Sequence, residues 1–232
     1  MTTTKLSAIA LLCALSSSAA MANWSTTVTA TSDYMFNGVS QTDNNPAIQG
    51  SIDYSAESGW YAGTWASNVD FGDETDVEWD VYAGNYWQLT PEIGLDAGIA
   101  YYTYHGASYS DELNYPEAYA KFNYASNLGT TEFNMWYSWD YFGLDANHHI
   151  FMLAHTFSVA EGHNIRVSAD RSTSNNTDRW NWNGRDAYNH VRIAYQTSYN
   201  GLDFEVAAED TNMDIDIADT RVVFTMSKTF SL

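Results

Sequence analysis

The sequence reads as all-β: a single antiparallel transmembrane β-barrel of about twelve strands with both termini periplasmic. Three features carry that reading. Apolar and polar residues alternate with period two from Trp24 onward, which gives each strand two unlike faces. The joints between these stretches are short and long in turn, as the periplasmic turns and extracellular loops of an outer-membrane barrel are. The last segment, Val223 to Leu232, is aromatic and alternating.

Residues 1–22 have the makeup of a secretory signal. Lys5 supplies the positive region, Leu6 to Leu15 the apolar one, and Ala20-Met21-Ala22 the small-x-small cleavage site, which leaves a barrel domain over 23–232. The single cysteine, Cys13, departs with the signal. No disulfide and no thiolate chemistry is then expected of the mature chain.

Strands are expected at about 25–36, 47–56, 60–71, 75–90, 93–101, 116–125, 132–141, 148–159, 163–171, 186–199, 202–209 and 219–231. Alternation is clearest where Ile93, Leu95, Ala97 and Ile99 oppose Gly94, Asp96 and Gly98. It recurs where Leu202, Phe204 and Val206 oppose Asp203, Glu205 and Glu209. The stretch from His148 to Val159 is apolar on both faces and does not sort. Tight joints fall at 57–59, 90–92, 126–129, 161–163 and 200–201, with longer ones at 37–46, 72–75, 106–115, 143–147, 172–185 and 211–218. Asn200-Gly201 is a two-residue type I′ signal that fixes register. It sets Arg192 opposite Glu209, Gln196 opposite Glu205, Ile193 opposite Ala208 and Tyr195 opposite Val206. The final strand places Phe224, Met226, Phe230 and Leu232 on one face, like the C-terminal segment by which outer-membrane barrels are recognised for insertion; Lys228 interrupts that face.

Alternation alone does not separate a soluble β-sandwich, apolar inside, from a membrane barrel, apolar outside. The signal, the sorted loops and the chain end favour the barrel. Removing Lys5 takes the formal charge from −20 to −21. So acidic a chain repels phosphate and is not expected to bind nucleic acid. Nine Trp, seventeen Tyr and ten Phe argue against disorder, and Trp24, Trp60, Trp87, Tyr124 and Tyr199 fit an interfacial belt.

The segment Ser32-Asp-Tyr-Met-Phe-Asn-Gly-Val-Ser-Gln-Thr-Asp43, with Pro46 to Tyr54, Gly59 to Phe71, Glu78 to Gly84 and Leu95 to Tyr102, resembles the TorF-type porins of proteobacteria. The resemblance is specific over about residues 32–105 and only a pattern beyond. It implies an outer-membrane barrel and a passive channel, without catalytic residues. Asn37 departs from it, standing where an Arg is expected before the Gly.

If apolar faces meet lipid, then Asp53, Glu78, Asp80, Asp96, Lys121, Glu132, Asp140, Arg166, Arg192, Asp203, Glu205, Glu209 and Arg221 line the lumen. A net-negative wall favours cations. The cations, mostly on later strands, are expected to set a field across the bore, unless they simply pair with the carboxylates. Arg179, Trp180, Trp182 and Arg185 mark the long joint as a loop that folds into the pore mouth, grips sugar or lipopolysaccharide, or rests at the interface. His148 and His149, adjacent on a strand, point to opposite faces and do not share a metal. Asp70, Asp73, Glu74 and Asp76 lack Ca²⁺-loop spacing. No Gly-x-Ser-x-Gly occurs. The expectation is a channel for small hydrophilic solutes, not an enzyme, with no cofactor and no metal. Its expected partners are outer-membrane lipid, lipopolysaccharide and the barrel assembly machinery. A non-conducting structural or adhesive barrel and a soluble periplasmic ligand-binding barrel are the alternatives.

Overall fold

In the computed structural model, which describes residues 23–232, every barrel strand pairs antiparallel with both neighbours and the sheet closes on itself. The secretory signal expected over 1–22 lies outside the described residues. The barrel strands are β1 (Asn23–Thr31), β4 (Ala47–Ser55), β5 (Trp60–Asn68), β6 (Val77–Gln88), β7 (Ile93–His105) and β8 (Tyr115–Ser126). They continue with β9 (Gly129–Ser138), β10 (His148–Ala160), β11 (His163–Ser174), β12 (Ala187–Tyr199), β13 (Leu202–Thr211) and β14 (Arg221–Ser231). Twelve strands thus form the wall, and β14 closes it against β1, with Ser25 opposite Ser231. Closure leaves no open sheet edge.

Within the first long loop, β2 (Met35–Phe36) and β3 (Val39–Ser40) form a separate small hairpin. The tight joints gather at one end of the barrel together with the first and last described residues. The loops of 32–46, 69–76, 106–114, 139–147, 175–186 and 212–220 gather at the other. At the turn between β12 and β13, Asn200 and Gly201 take φ of 51° and 72°, both left-handed as a type I′ turn requires. The register that follows pairs Arg192 with Glu209, Gln196 with Glu205, Ile193 with Ala208 and Tyr195 with Val206, as the dipeptide dictates.

Several strand ends differ from the sequence reading by three residues or more, and two of them redirect the chain. β1 stops at Thr31 rather than near 36. There Asp33 accepts hydrogen bonds from Ser40 Oγ at 2.6 Å and Thr42 Oγ1 at 3.0 Å, which turn the chain away from the sheet. β9 runs from Gly129 to Ser138 and releases the chain before Tyr141. Tyr141 and Phe142 enter a short 3-10 turn and pack among other loop rings, so ring burial outweighs further sheet pairing.

Polarity is inverted relative to a soluble domain. Ile99, Leu153, Ile193, Val222 and Phe224 lie exposed on the outer wall, each more than half accessible. The buried side of the sheet carries Glu78, Asp80, Glu117, Asn134, Asp170, His190, Gln196 and Glu209. The unsorted stretch of β10 follows the same rule: Phe151 and Leu153 face out, whereas His148, Ile150 and Ala154 are buried. Trp24, Trp60, Trp87, Tyr124 and Tyr199 are exposed at the turn end, and Trp79, Tyr101 and Tyr137 nearer the loop end. Two aromatic girdles so placed bracket an apolar band. Lys228 lies on the outer face near the turn end, its ammonium 5.0 Å from the Phe230 ring centroid. There a cation costs no more than about 1 kcal/mol.

Among the described residues, the buried apolar side chains form no central core. Those that cluster lie at the loop end: Tyr104, Tyr115, Tyr141, Ala146, Trp182, Tyr188, Met213 and Ala218, with Val39, Phe71, Phe142, Trp180 and Ile215 packed against them, whereas Ala154, Ala194, Ala207 and Val223 are buried singly on the inner face of the strands.

Candidate functional site

Period-two alternation directs one face of each strand into the barrel, and the polar groups gathered there fall into two banks. The first runs over β11, β12 and β13. His190 lies between two carboxylates, its Nδ1 2.7 Å from Asp170 Oδ2 and its Nε2 3.1 Å from Glu209 Oε2. Arg192 pairs with Glu205 and reaches Glu209 Oε1 at 3.5 Å. Gln196 Nε2 donates to Glu205 Oε2 at 2.7 Å. Alongside, Arg166 Nη2 meets Glu132 Oε2 at 2.9 Å, and Asn134 Nδ2 donates to the same oxygen at 3.2 Å.

The second bank spans β6, β7 and β8. Glu78, Asp80 and Glu117 are buried among Tyr102, Tyr104 and Tyr115. Tyr102 donates to Glu117 Oε1 at 2.9 Å, and its ring stacks on Tyr115 at 4.5 Å between centroids. Below it, Tyr61 bonds Asp96 and lies 2.5 Å from the Tyr119 hydroxyl, while Tyr82 bonds Asp53. Lys121 Nζ lies 4.5 Å from the Tyr119 ring centroid and 5.6 Å from that of Trp136.

The first loop runs between the banks. Tyr34 packs edge-on against Trp65 of β5 at 5.3 Å. Its hydroxyl is held well above the usual tyrosine range, by burial first and then by Glu78 and Asp80, so it remains a donor. At the tip of the β2–β3 hairpin, Asn37 Nδ2 donates to Asp170 Oδ1 at 3.2 Å. Gly38, at φ +80°, lies so near the opposite wall that a Cβ there would meet His190 Cδ2 and Thr211 Cγ2 at 2.5 Å. This loop therefore reaches one wall with Tyr34 and the other with Asn37 and Gly38.

Above the hairpin, rings close the loop end. Trp180 stacks on Phe142 at 5.1 Å, Trp182 meets Tyr188 edge-on at 5.0 Å, and Tyr141 lies 4.0 Å from the His148 ring.

Most residues read from the sequence as lumenal occupy the inner face, but their pairing changes the picture. Asp203, near the turn end, accepts from Ser198 at 2.5 Å. Arg221 bonds Asp33 Oδ2 at 3.1 Å and the Asp216 carbonyl at 2.8 Å, where the first and last loops meet. The expected field from unpaired later-strand cations is corrected: Arg166, Arg192 and Arg221 each hold a carboxylate. Asp140 is also corrected. It lies beyond β9 in the loop, where its carboxylate accepts the Asp145 N–H at 2.7 Å.

Of the four residues singled out in the long joint, the tryptophans turn in and the arginines stay out. Arg179 is exposed and only 3.9 Å from Asp145, and Arg185 is exposed beside Trp182. His148 and His149 diverge as adjacent strand residues must, one buried and one not. Among the described residues, no group of three or more His, Cys, Asp or Glu is placed to hold a metal ion.

Sequence reasoning left out Glu117, Asp170 and His190. The signal was present: each lies an even number of residues from a lumenal residue already named, Lys121, Arg166 or Arg192. Asp33 and Tyr34 carried no such signal, because they belong to a loop.

The family described as a bacterial protein of unknown function (Gcw_chp) matches residues 16–230. The chain belongs to this Gcw_chp family. A comparison with curated proteins gives no match. Among solved structures, the KdgM porin superposes with a TM-score of 0.60 at 5% identity, covering 90% of this chain and 99% of its own. The NanC porin superposes at 0.57 and 9% identity, covering 88% and 98%. A structure described as KdgM porin in complex with disordered oligogalacturonate gives 0.58 at 5% identity, covering 90% and 99%. At these identities the likeness is one of fold: this Gcw_chp member and two porins share a barrel architecture over nearly their full lengths.

Proposed function

We propose that this protein is an outer-membrane channel of a Gram-negative bacterium, passing small hydrophilic solutes by diffusion with preference for cations. The observation that carries the reading is the inverted wall: an apolar, aromatic-girdled outside around an inside of carboxylates, tyrosines and paired cations. Such an outside matches acyl chains bounded by two interfaces. A charged inside has a use in offering solutes a polar path. The TorF-type likeness over residues 32–105 and the porin-like fold lend support. The net charge of −20 supports the cation preference.

In this reading the turn end is periplasmic and the loop end faces lipopolysaccharide. The barrel assembly machinery inserts the chain through its last strand. The protein needs no cofactor, and its sign of charge keeps it from nucleic acid. Passage is governed by the ring cluster and by the hairpin that reaches between the banks.

A second reading, a non-conducting barrel that stabilises or decorates the envelope, draws on the same ring cluster and on the ion pairs of Arg166, Arg192 and Arg221. Planar-bilayer recording on refolded protein separates the two. The channel gives discrete conductance steps and, under a salt gradient, a reversal potential of the sign for cation selectivity. A bilayer that stays silent at every voltage removes the channel, and a chloride-favouring potential removes the preference.

A further inference from the structure

A charge on the face of a barrel that meets lipid calls for a counter-charge at its own depth. Histidines aside, the outward strand positions carry Arg171 and Asp210 near the loop end. In the turn-ward half, among the described residues, they carry Lys228 alone. Lys228 takes part in none of the ion pairs of the described residues. Its ammonium lies 5.0 Å from the ring centroid of Phe230, its outward neighbour toward the turn end.

Register sets an apolar furrow beside it. Phe230 lies opposite Thr26, Thr26 opposite Ile52 and Ile52 opposite Thr64, in a single row across β14, β1, β4 and β5. Adjacent strands are spaced by about 4.8 Å, so the backbones at Phe230 and Ile52 are roughly 10 Å apart. Along β5 the outward residues past Trp60 are small, Ala62, Thr64 and Ala66, while Ile52 and Tyr54 stand beside them on β4. The result is a shallow depression of about 370 Å³ lined by Trp24, Ile52, Tyr54, Ala62, Gly63 and Thr64. Trp24 and Tyr54 bound it toward the turn end, their ring centroids 5.2 Å apart. On the other side Trp79 Nε1 donates to Thr64 Oγ1.

A second copy of the chain is a poor occupant for this face. Copies in one membrane share an orientation, so Lys228 would meet residues of its own depth, and no outward strand position in the turn-ward half is Asp or Glu. A lipid phosphate supplies the missing charge at the interface that the Trp24 and Tyr54 rings mark. We propose that the turn-end outer wall holds a phospholipid, its phosphate accepting from the Lys228 ammonium and one acyl chain lying in the furrow over β4 and β5. Lipid tails are as apolar as the wall, so close packing in the furrow, and not exclusion of water, selects the chain. The site rests on the outer wall facing lipid and not on conduction, so it and the channel can fail separately.

Native mass spectrometry of the refolded protein, released from detergent with dioleoyl phosphatidylglycerol, measures the lipid retained. Dioleoylglycerol, with the same chains and no phosphate, is the control. Phosphatidylglycerol is expected to stay bound and dioleoylglycerol to leave. Lys228→Gln, which removes a charged hydrogen bond, weakens retention about tenfold. Ala62→Leu, which fills the furrow, weakens it too, whereas Arg171→Gln, on the same wall at the other end, retains wild-type binding. Equal retention of dioleoylglycerol overturns the proposal, as does indifference to Lys228→Gln or an equal loss in Arg171→Gln. A lipid-free dimer that Ala62→Leu dissociates assigns the face to a second copy and overturns it as well. If the variants do not refold, isotope-labelled methylation of the wild-type lysines decides by NMR. Phosphatidylglycerol shifts the Lys228 methyl signal and not that of Lys121 in the bore if the site exists, and an unmoved Lys228 signal overturns it.

Discussion

Asn37 and Gly38 show how much a two-residue turn inside a loop can determine. Their φ angles of 48° and 80° make the tip of the β2–β3 hairpin tight enough to reach the far bank. There Asn37 bonds Asp170 while Gly38 lies against His190. Gly38→Ala adds a methyl where His190 and Thr211 already stand, in a left-handed conformation that costs a side chain about 1–2 kcal/mol. The hairpin is expected to lift from the wall while the barrel stays closed. Hydrogen exchange tests this: amides of residues 35–40 should exchange faster in the variant, with those of β11 to β13 unchanged. Unaltered exchange in the hairpin would mean that the contact does not hold it. At the same scale, Glu117, Asp170 and His190 were legible from alternation with residues already named. The mutual pairing of Asp170, His190 and Glu209 was not, because the turn at Asn200-Gly201 sets β13 against β12 but no such signal sets the height of β11.

Among the elements, strands and loops follow different rules. The strands obey alternation and turn chemistry, so the tight joints and the register of β12 on β13 were readable in advance. The loops, with the strand ends that carry Tyr104, Tyr115 and Tyr188, supply the apolar cluster. Trp180 and Trp182 were visible as anchors, but their direction depended on Tyr141, Phe142, Tyr188 and Met213, which come from other parts of the chain. Trp182→Ala removes a ring that is 8% exposed and packed on Tyr188. Loss of a buried aromatic costs about 3–5 kcal/mol, here borne by the loops and not by the sheet. Limited proteolysis should cut the 139–147 and 175–186 loops faster, single-channel steps should grow, and the melting of the strand signal should shift little. Steps of wild-type size would show that this cluster does not restrict passage.

For the molecule as a whole, the decisive property is which side of the sheet meets solvent or lipid. An exterior bearing Ile99, Leu153, Ile193 and Phe224, each more than half exposed, would associate in water. The expected outcome of cell fractionation is therefore recovery with the outer-membrane pellet, as a band whose gel mobility changes on boiling. Recovery in the periplasmic extract would instead support the soluble ligand-binding barrel and remove the membrane reading.

The sequence alone was enough for the strand count, the alternation of turns and loops, and the inner or outer sense of most charged residues. All of these follow from local rules: a period of two, a dipeptide's φ preferences, and a charge that avoids hydrocarbon. The partners of those charges beyond the β12–β13 hairpin, the inward path of the first loop, the exit of the chain at Ser138 and the closing of the loop end by rings emerged only from the folded barrel. Each depends on groups far apart in sequence whose distance is fixed by sheet closure, and no local pattern encodes that distance.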